Sequence, residues 1–411
     1  MAGFYFHIGM DKTGTTSIQR TLHLERARLA EAGLVSPHLP SPNHSHFVDS
    51  QFRLPLDRFD AVLTARGDAV YVSERAAMRA AFLAEMEAAI GAGSDAILSA
   101  ETASTMSAAE AVATREALAP RLGPVTILAL VRPPAAYVVS AAQQALSDGK
   151  AITQVVEAPR LPRYRERFAA HVDAFGRDRV RLAVFAPGLL VEGCPFQTLL
   201  GLMDTPRPAL ADLRAARANS SMSLTAAKFL SAIHASLAAR RRVALPDPIV
   251  RAMEAGPVGA YLAHASAAEG RPPALPPVLM HHLVSIPGPR FALPCEIAAH
   301  LAETGDGARW LADTFGLDVL GGDTPLGETI PAADFAHFDD GEVAAVAAAL
   351  AEINAEITEP IEVLMERRRQ GSQAAVRRYV HPAAPDPVAM ERPRAPRRRG
   401  LVGRLLERWG A

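Results

Sequence analysis

Short apolar runs alternate with longer amphipathic stretches over the first half of the chain. Residues 4–9 form a β-rich apolar run that stops at Gly9. Residues 95–100, 125–131 and 180–185 repeat the pattern, each with the length of a buried strand. Between them the apolar positions take helical spacing. Over 17–32 they are Ile18, Leu22, Leu29 and Ala32, with Gly33 as a stop, and further helices are predicted over 76–92, 108–121, 164–175 and 196–203. Strands alternating with helices predict an α/β fold with a parallel sheet covered on both faces. Residues 36–58 are rich in Pro, His and Ser and read as loop.

The pattern changes beyond Asn219. Helices are predicted over 224–239 and as a pair within 292–315, interrupted by Pro-rich segments at 246–248 and 272–277, and a long helix over 342–369. Residues 226–369 therefore read as a helical elaboration packed on the core formed by residues 1–225, and as a candidate place for an acceptor substrate. Residues 370–411 form an Arg/Pro-rich tail, expected to be disordered up to about residue 398, with a short basic amphipathic helix over 400–409. From Arg367 onward 12 arginines face only Asp386, Glu391 and Glu407. That excess suits an anionic membrane surface or a polyanionic partner. The whole chain has a net charge of −1, which gives no global field for nucleic acid.

The 411 residues, 49% of them apolar, suffice for a large buried core. Cys194 and Cys295 make no disulfide framework and have no metal-ligand spacing around them; they read as two reduced, buried thiols. Neither a secretory signal nor a long apolar span is evident, so a cytoplasmic location is expected, membrane-peripheral if the tail engages lipid.

Candidate chemistry begins where the first strand stops. Gly9-Met10-Asp11-Lys12-Thr13-Gly14-Thr15-Thr16-Ser17 leads straight into a helix. Backbone N–H groups at a helix start make an anion site, Lys12 adds a full charge, and Thr13, Thr15 and Thr16 add hydroxyl donors. Gly9 and Gly14 have the spacing of a nucleoside-triphosphatase loop, but that loop places Lys directly after the second Gly. Here Thr15 stands there, and Lys12 precedes Gly14. Lys12 is also one of only three lysines among 43 basic residues, the others being Lys150 and Lys228. A chain that uses Arg nearly everywhere has kept a compact ammonium at this position, where a planar guanidinium fits a crowded bridge less well.

The run over 125–131 is followed by Arg132-Pro133-Pro134 and, eight residues after Arg132, by Ser140. The proline pair can start a helix after the strand. Lys-x-Gly-Thr-Thr after the first strand, with Arg and Ser at this spacing after a later one, resembles the sulfotransferases that use 3′-phosphoadenosine 5′-phosphosulfate (PAPS). By motif the resemblance covers residues 1–225. It implies a P-loop-type three-layer fold with a central parallel sheet. It further implies that Lys12, Thr13, Gly14, Thr15, Thr16 and Ser17 hold the 5′-phosphosulfate, and that Arg132 and Ser140 grip the 3′-phosphate. The reaction implied is in-line, metal-independent sulfuryl transfer to a hydroxyl or amine. The acceptor is open: saccharide, lipid, small alcohol and protein all fit.

Two departures stand out. Cytosolic eukaryotic relatives carry a Trp after the loop that helps hold adenine, where this chain has Ser17. They also place a catalytic His where this chain has Ser99-Ala100-Glu101, a pattern similar to one in bacterial sulfotransferase-like proteins. Glu101, at the carboxyl end of a strand, is a candidate base, and capping of the next helix is its alternative role. His44, in Pro42-Asn43-His44-Ser45-His46, competes for the same role. His46, in the same segment, competes for it as well, whereas His7 on the first strand reads as a core or hydrogen-bonding residue, and a metal at His44 and His46 lacks completing ligands. Asn219-Ser220-Ser221-Met222-Ser223 could lie near the nucleotide, although capping is the simpler reading. Two rival functions remain: a P-loop nucleotide kinase or triphosphatase, and a catalytically degenerate sulfotransferase-like binding protein.

Overall fold

Five strands form one parallel sheet in the computed structural model, which describes residues 2–65, 68–216, 221–239, 245–267, 274–321 and 326–380. They are β1 (Phe4–His7), β2 (Leu34–Val35), β3 (Asp95–Ser99), β4 (Val125–Val131) and β5 (Val180–Val184), in the order β2-β3-β1-β4-β5. β1 lies at the centre, with Phe4 opposite Ala96 and Val125 and His7 opposite Ser99 and Leu128.

Side chains two apart on a strand share a face. Phe4 and Phe6 of β1 and Ile127, Ala129 and Val131 of β4 accordingly enter one apolar layer. Tyr5, Leu128 and Leu130 enter the other. The first layer is closed by α3 (Arg75–Gly91), α4 (Ala108–Leu122), α5 (Pro134–Ser147) and α6 (Tyr164–Phe175), through Phe82, Leu118, Tyr137 and Phe168 among others. The second is closed by α1 (Thr15–Leu24) and α7 (Pro195–Gly201), through Ile18, Leu22, Phe196 and Leu199. The result is a three-layer α/β fold.

The C-terminal helices extend the first layer. Phe229, Leu230 and Ile233 of α8 (Leu224–Ala239) belong to the same apolar cluster as Phe4. The Ile152 N–H donates to Ser231 Oγ at 2.9 Å. A buried ion pair, Lys228 to Glu342 at 2.8 Å, ties α8 to α9 (Asp340–Glu356).

Several local expectations change. The helix expected over 17–32 is two helices, Thr15–Leu24 and Arg26–Glu31, separated at Glu25. β2 was not expected. The segment 36–58 is not all loop: α2 (Ser45–Phe52) and the start of the helix Leu56–Ala65 lie within it. The helix expected over 342–369 breaks before Pro360, whose ring disfavours helix in the residue before it. The second piece, Ile361–Val380, carries helix past residue 370, where the tail was expected to begin. The rest of the expected tail, including the helix over 400–409, lies outside the described residues. Cys194 is buried, but Cys295 is exposed, against expectation. Among the described residues no helix is long and apolar enough to cross a membrane.

Candidate active site

Because the strands are parallel, the segments after β1, β3 and β4 meet at one edge of the sheet, where open α/β sheets place their ligands. The segment after β1 is a tight loop with left-handed backbone at Gly9, Lys12 and Gly14 (φ 56°, 71° and 75°). Gly9 has no room for a side chain: a Cβ there would lie 2.7 Å from Thr15 Cγ2 and 3.3 Å from Glu101 Cβ. Lys12 does have a side chain, and for a non-glycine residue this conformation costs roughly 1–2 kcal/mol. Several bonds hold it. Arg132 Nη1 donates to the Lys12 carbonyl at 2.6 Å. The Thr13 hydroxyl donates to the Met10 carbonyl at 2.5 Å. The Asp11 carboxylate accepts from the Tyr137 hydroxyl at 3.0 Å and pairs with Arg167 at 2.7 Å.

The conformation leaves a row of free donors. Among the described residues, the N–H groups of residues 14–17, at the start of α1, donate to no protein acceptor, and the Gly14 N-cap supplies no side-chain cap. Polar N–H groups at a helix start without partners are suited to an anion. The Lys12 ammonium stands beside them, donating to Gln144 Oε1 at 2.6 Å. Burial pushes its pKa down, an effect opposed by the charges of Glu101, Asp11 and Asp148.

After β4, Arg132 lies over the Phe185 ring at 5.5 Å, and its Nε is buried with no partner among the described residues. Burial lowers its pKa. The Tyr164 hydroxyl fixes the turn by donating to the Arg132 carbonyl at 2.5 Å. Ser140 is half-buried on α5. Tyr137 touches Asp11 and Gln144 touches Lys12, so helical spacing puts Ser140 on the face of α5 that meets the loop.

After β3, Glu101 opens the 3-10 turn Glu101–Thr105. Its Oε2 accepts from the Thr15 hydroxyl at 2.5 Å. Burial raises the Glu101 pKa above the ordinary carboxylate value, partly offset by the Thr15 bond and by Lys12. A carboxylate with a raised pKa, beside a lysine and unpartnered helix-start N–H groups, is a candidate general base.

The structure therefore brings together Lys12, Thr13, Gly14, Thr15, Thr16, Ser17, Glu101 and Arg132, with Ser140 on the adjoining helix face. Two of the hydroxyls have protein partners. Thr13 is fully buried and spends its hydroxyl inside the loop, and Thr15 gives its hydroxyl to Glu101. Thr16 is exposed and Ser17 half-buried.

His44 is corrected. It is buried at the start of α2, and its Nδ1 accepts the Ser99 N–H at 3.2 Å. Burial, with Arg26 and His23 nearby, pushes its pKa down to about 3. A ring held neutral with Nδ1 occupied ties α2 to the end of β3, so His44 fits the base role poorly. His7 is also buried and pairs with Ser99 Oγ at 2.7 Å. His46 lies 3.7 Å from Asp68. Met222 N–H reaches Gln143 Oε1 of α5 at 3.3 Å, whereas Asn219 and Ser220 lie outside the described residues.

Sequence reasoning missed Gln144, Asp11, Tyr137 and Arg167. Gln144 had a signal, being one turn beyond Ser140 on a predicted helix start. Arg167 had none, because its partners come from four separate segments. No family model matches the chain, and no curated protein or solved structure matches it.

Proposed function

We propose that this protein transfers a sulfuryl group from PAPS to a hydroxyl or amine acceptor. The observation that carries the reading is the row of unpartnered N–H groups over residues 14–17, in a loop that also carries Lys12 and is held by the Arg132 guanidinium. Such an arrangement of a P-loop-type fold offers one cluster for a 5′-phosphosulfate and another for a 3′-phosphate. The orphaned Arg132 Nε fits a ligand phosphate as the missing acceptor.

The chemistry follows from the placement. The acceptor oxygen attacks sulfur as the bond from sulfur to the 5′-phosphate oxygen breaks. The electron pair stays on that phosphate oxygen, where Lys12 and the loop N–H groups stabilise the growing charge. Glu101 takes the acceptor's proton. Lysine and backbone donors supply the charge stabilisation that a metal ion supplies in many phosphoryl transfers. A triphosphatase reading is less well supported, because Thr15 follows Gly14 and gives its hydroxyl to Glu101.

Arg132→Ala tests the assignment of the two phosphates. Loss of its charge-assisted bonds should weaken adenosine 3′,5′-bisphosphate binding by roughly 1.5–3 kcal/mol. AMP, which lacks the 3′-phosphate, should lose much less. Equal losses for both nucleotides in calorimetric titration would remove Arg132 from the 3′-phosphate.

A further inference from the structure

We infer that Arg167 is a positioning residue for the 5′-phosphate end of the donor site, acting by neutralising and restraining Asp11; the inference rests on the donor reading above. Asp11 precedes Lys12 directly in the loop that offers its N–H groups to an anion. A carboxylate there opposes anion binding by like-charge repulsion, and it competes for the Lys12 ammonium. Its field reaches both Lys12 and Glu101.

Arg167 of α6 supplies the compensation. Its Nη2 lies 2.7 Å from Asp11 Oδ1 and donates to the Tyr137 hydroxyl at 2.8 Å. The Tyr137 hydroxyl in turn donates to Asp11 at 3.0 Å. Its Nη1 donates to Ser104 Oγ at 3.1 Å, and its Nε to the Pro162 carbonyl at 2.8 Å. The Ser104 hydroxyl donates to the Glu101 carbonyl at 2.9 Å. One guanidinium thus joins the anion loop, α5, the Glu101 turn and the entry to α6. The side chains of Arg167 and Asp11 are only 13% and 27% exposed, so solvent screens the pair weakly. The arginine thus ends on the carboxylate that directly precedes Lys12 in the loop.

The test uses calorimetric titration of the full chain with adenosine 3′,5′-bisphosphate and with AMP, both of which carry the 5′-phosphate. Arg167→Gln should weaken both by the same factor, about tenfold or more. The ratio of the two affinities should stay at the wild-type value, unlike in Arg132→Ala. Adding Asp11→Asn to Arg167→Gln should restore most of the lost affinity, because the uncompensated charge is then gone. A purely structural staple gives no such recovery. Unchanged affinities in Arg167→Gln, or a loss that Asp11→Asn does not relieve, would overturn the inference. If Arg167→Gln fails to fold, Asp11→Asn alone carries the test. It should leave AMP affinity unchanged or raise it, and a tenfold fall would be the contrary result. Absence of bisphosphate binding by the wild type would remove the donor reading, and this inference with it.

Discussion

Lys12→Ala is expected to lower sulfuryl transfer from PAPS by about 10²–10³-fold, the usual loss when one positioned donor to a developing negative charge is removed. The effect should fall on turnover more than on binding. On the donor reading, the ground-state charge on the phosphosulfate would be shared between the loop N–H groups and Lys12. In the transition state, charge grows on the oxygen leaving sulfur, and an interaction that strengthens there raises the rate selectively. The structure gives Lys12 the means: a half-buried ammonium, steered by a 2.6 Å bond to Gln144. The measurement is release of adenosine 3′,5′-bisphosphate from PAPS, to water or to whichever hydroxyl compound supports turnover, beside the affinity for the bisphosphate. A variant that loses affinity while keeping its turnover at saturation would make Lys12 a binding residue only.

Glu101→Gln should lower transfer to a hydroxyl by roughly 10²–10⁴-fold, as expected for removal of a positioned base. Gln keeps an oxygen that can accept from Thr15, so the loop and the bisphosphate affinity should persist. The raised pKa of Glu101 adds two pH signatures. In the wild type, turnover should fall on the acid side at a pH above the ordinary carboxylate range, and this limb should vanish in the variant. Stability has the opposite sense. The folded state holds the Glu101 proton more tightly than the unfolded chain does. The favourable contribution is therefore full below the unfolded pKa and is lost as pH rises through the folded one. Near neutral pH the Gln variant should melt no lower than the wild type, and any advantage should shrink on acidification. Full activity in Glu101→Gln would move the base to another residue, or mean that the acceptor needs none.

Much of this site was readable because its chemistry is local. Gly9, Lys12, Gly14 and Thr15 lie within one turn of chain, and Arg132 follows β4, whose seven consecutive buried residues announce a strand. β2 carries only Leu34 and Val35, too few for any period to show. α2 was hidden for the opposite reason. Ser45, Asp49, Ser50 and Gln51 are buried together with Phe47, Val48 and Phe52, so its polar residues do not mark a solvent-facing side. The partners of the Thr13 and Thr15 hydroxyls depend on the loop's backbone path, which includes the left-handed turn at Lys12, and no residue pattern encodes that path. His44 looked like a free loop base because its Pro- and Ser-rich neighbours suggest exposure. Its burial comes from packing against the end of β3. Arg167 was invisible because its value lies in joining segments far apart in the chain.

The donor assignment is tested most directly by titrating the wild-type protein, in metal-free buffer, with adenosine 3′,5′-bisphosphate, AMP, ATP and GTP. The bisphosphate should bind without metal, and much more tightly than AMP, ATP or GTP, because only it presents both phosphates to Lys12 and Arg132. Preference for ATP or GTP, or equal affinity for AMP and the bisphosphate, would contradict the account.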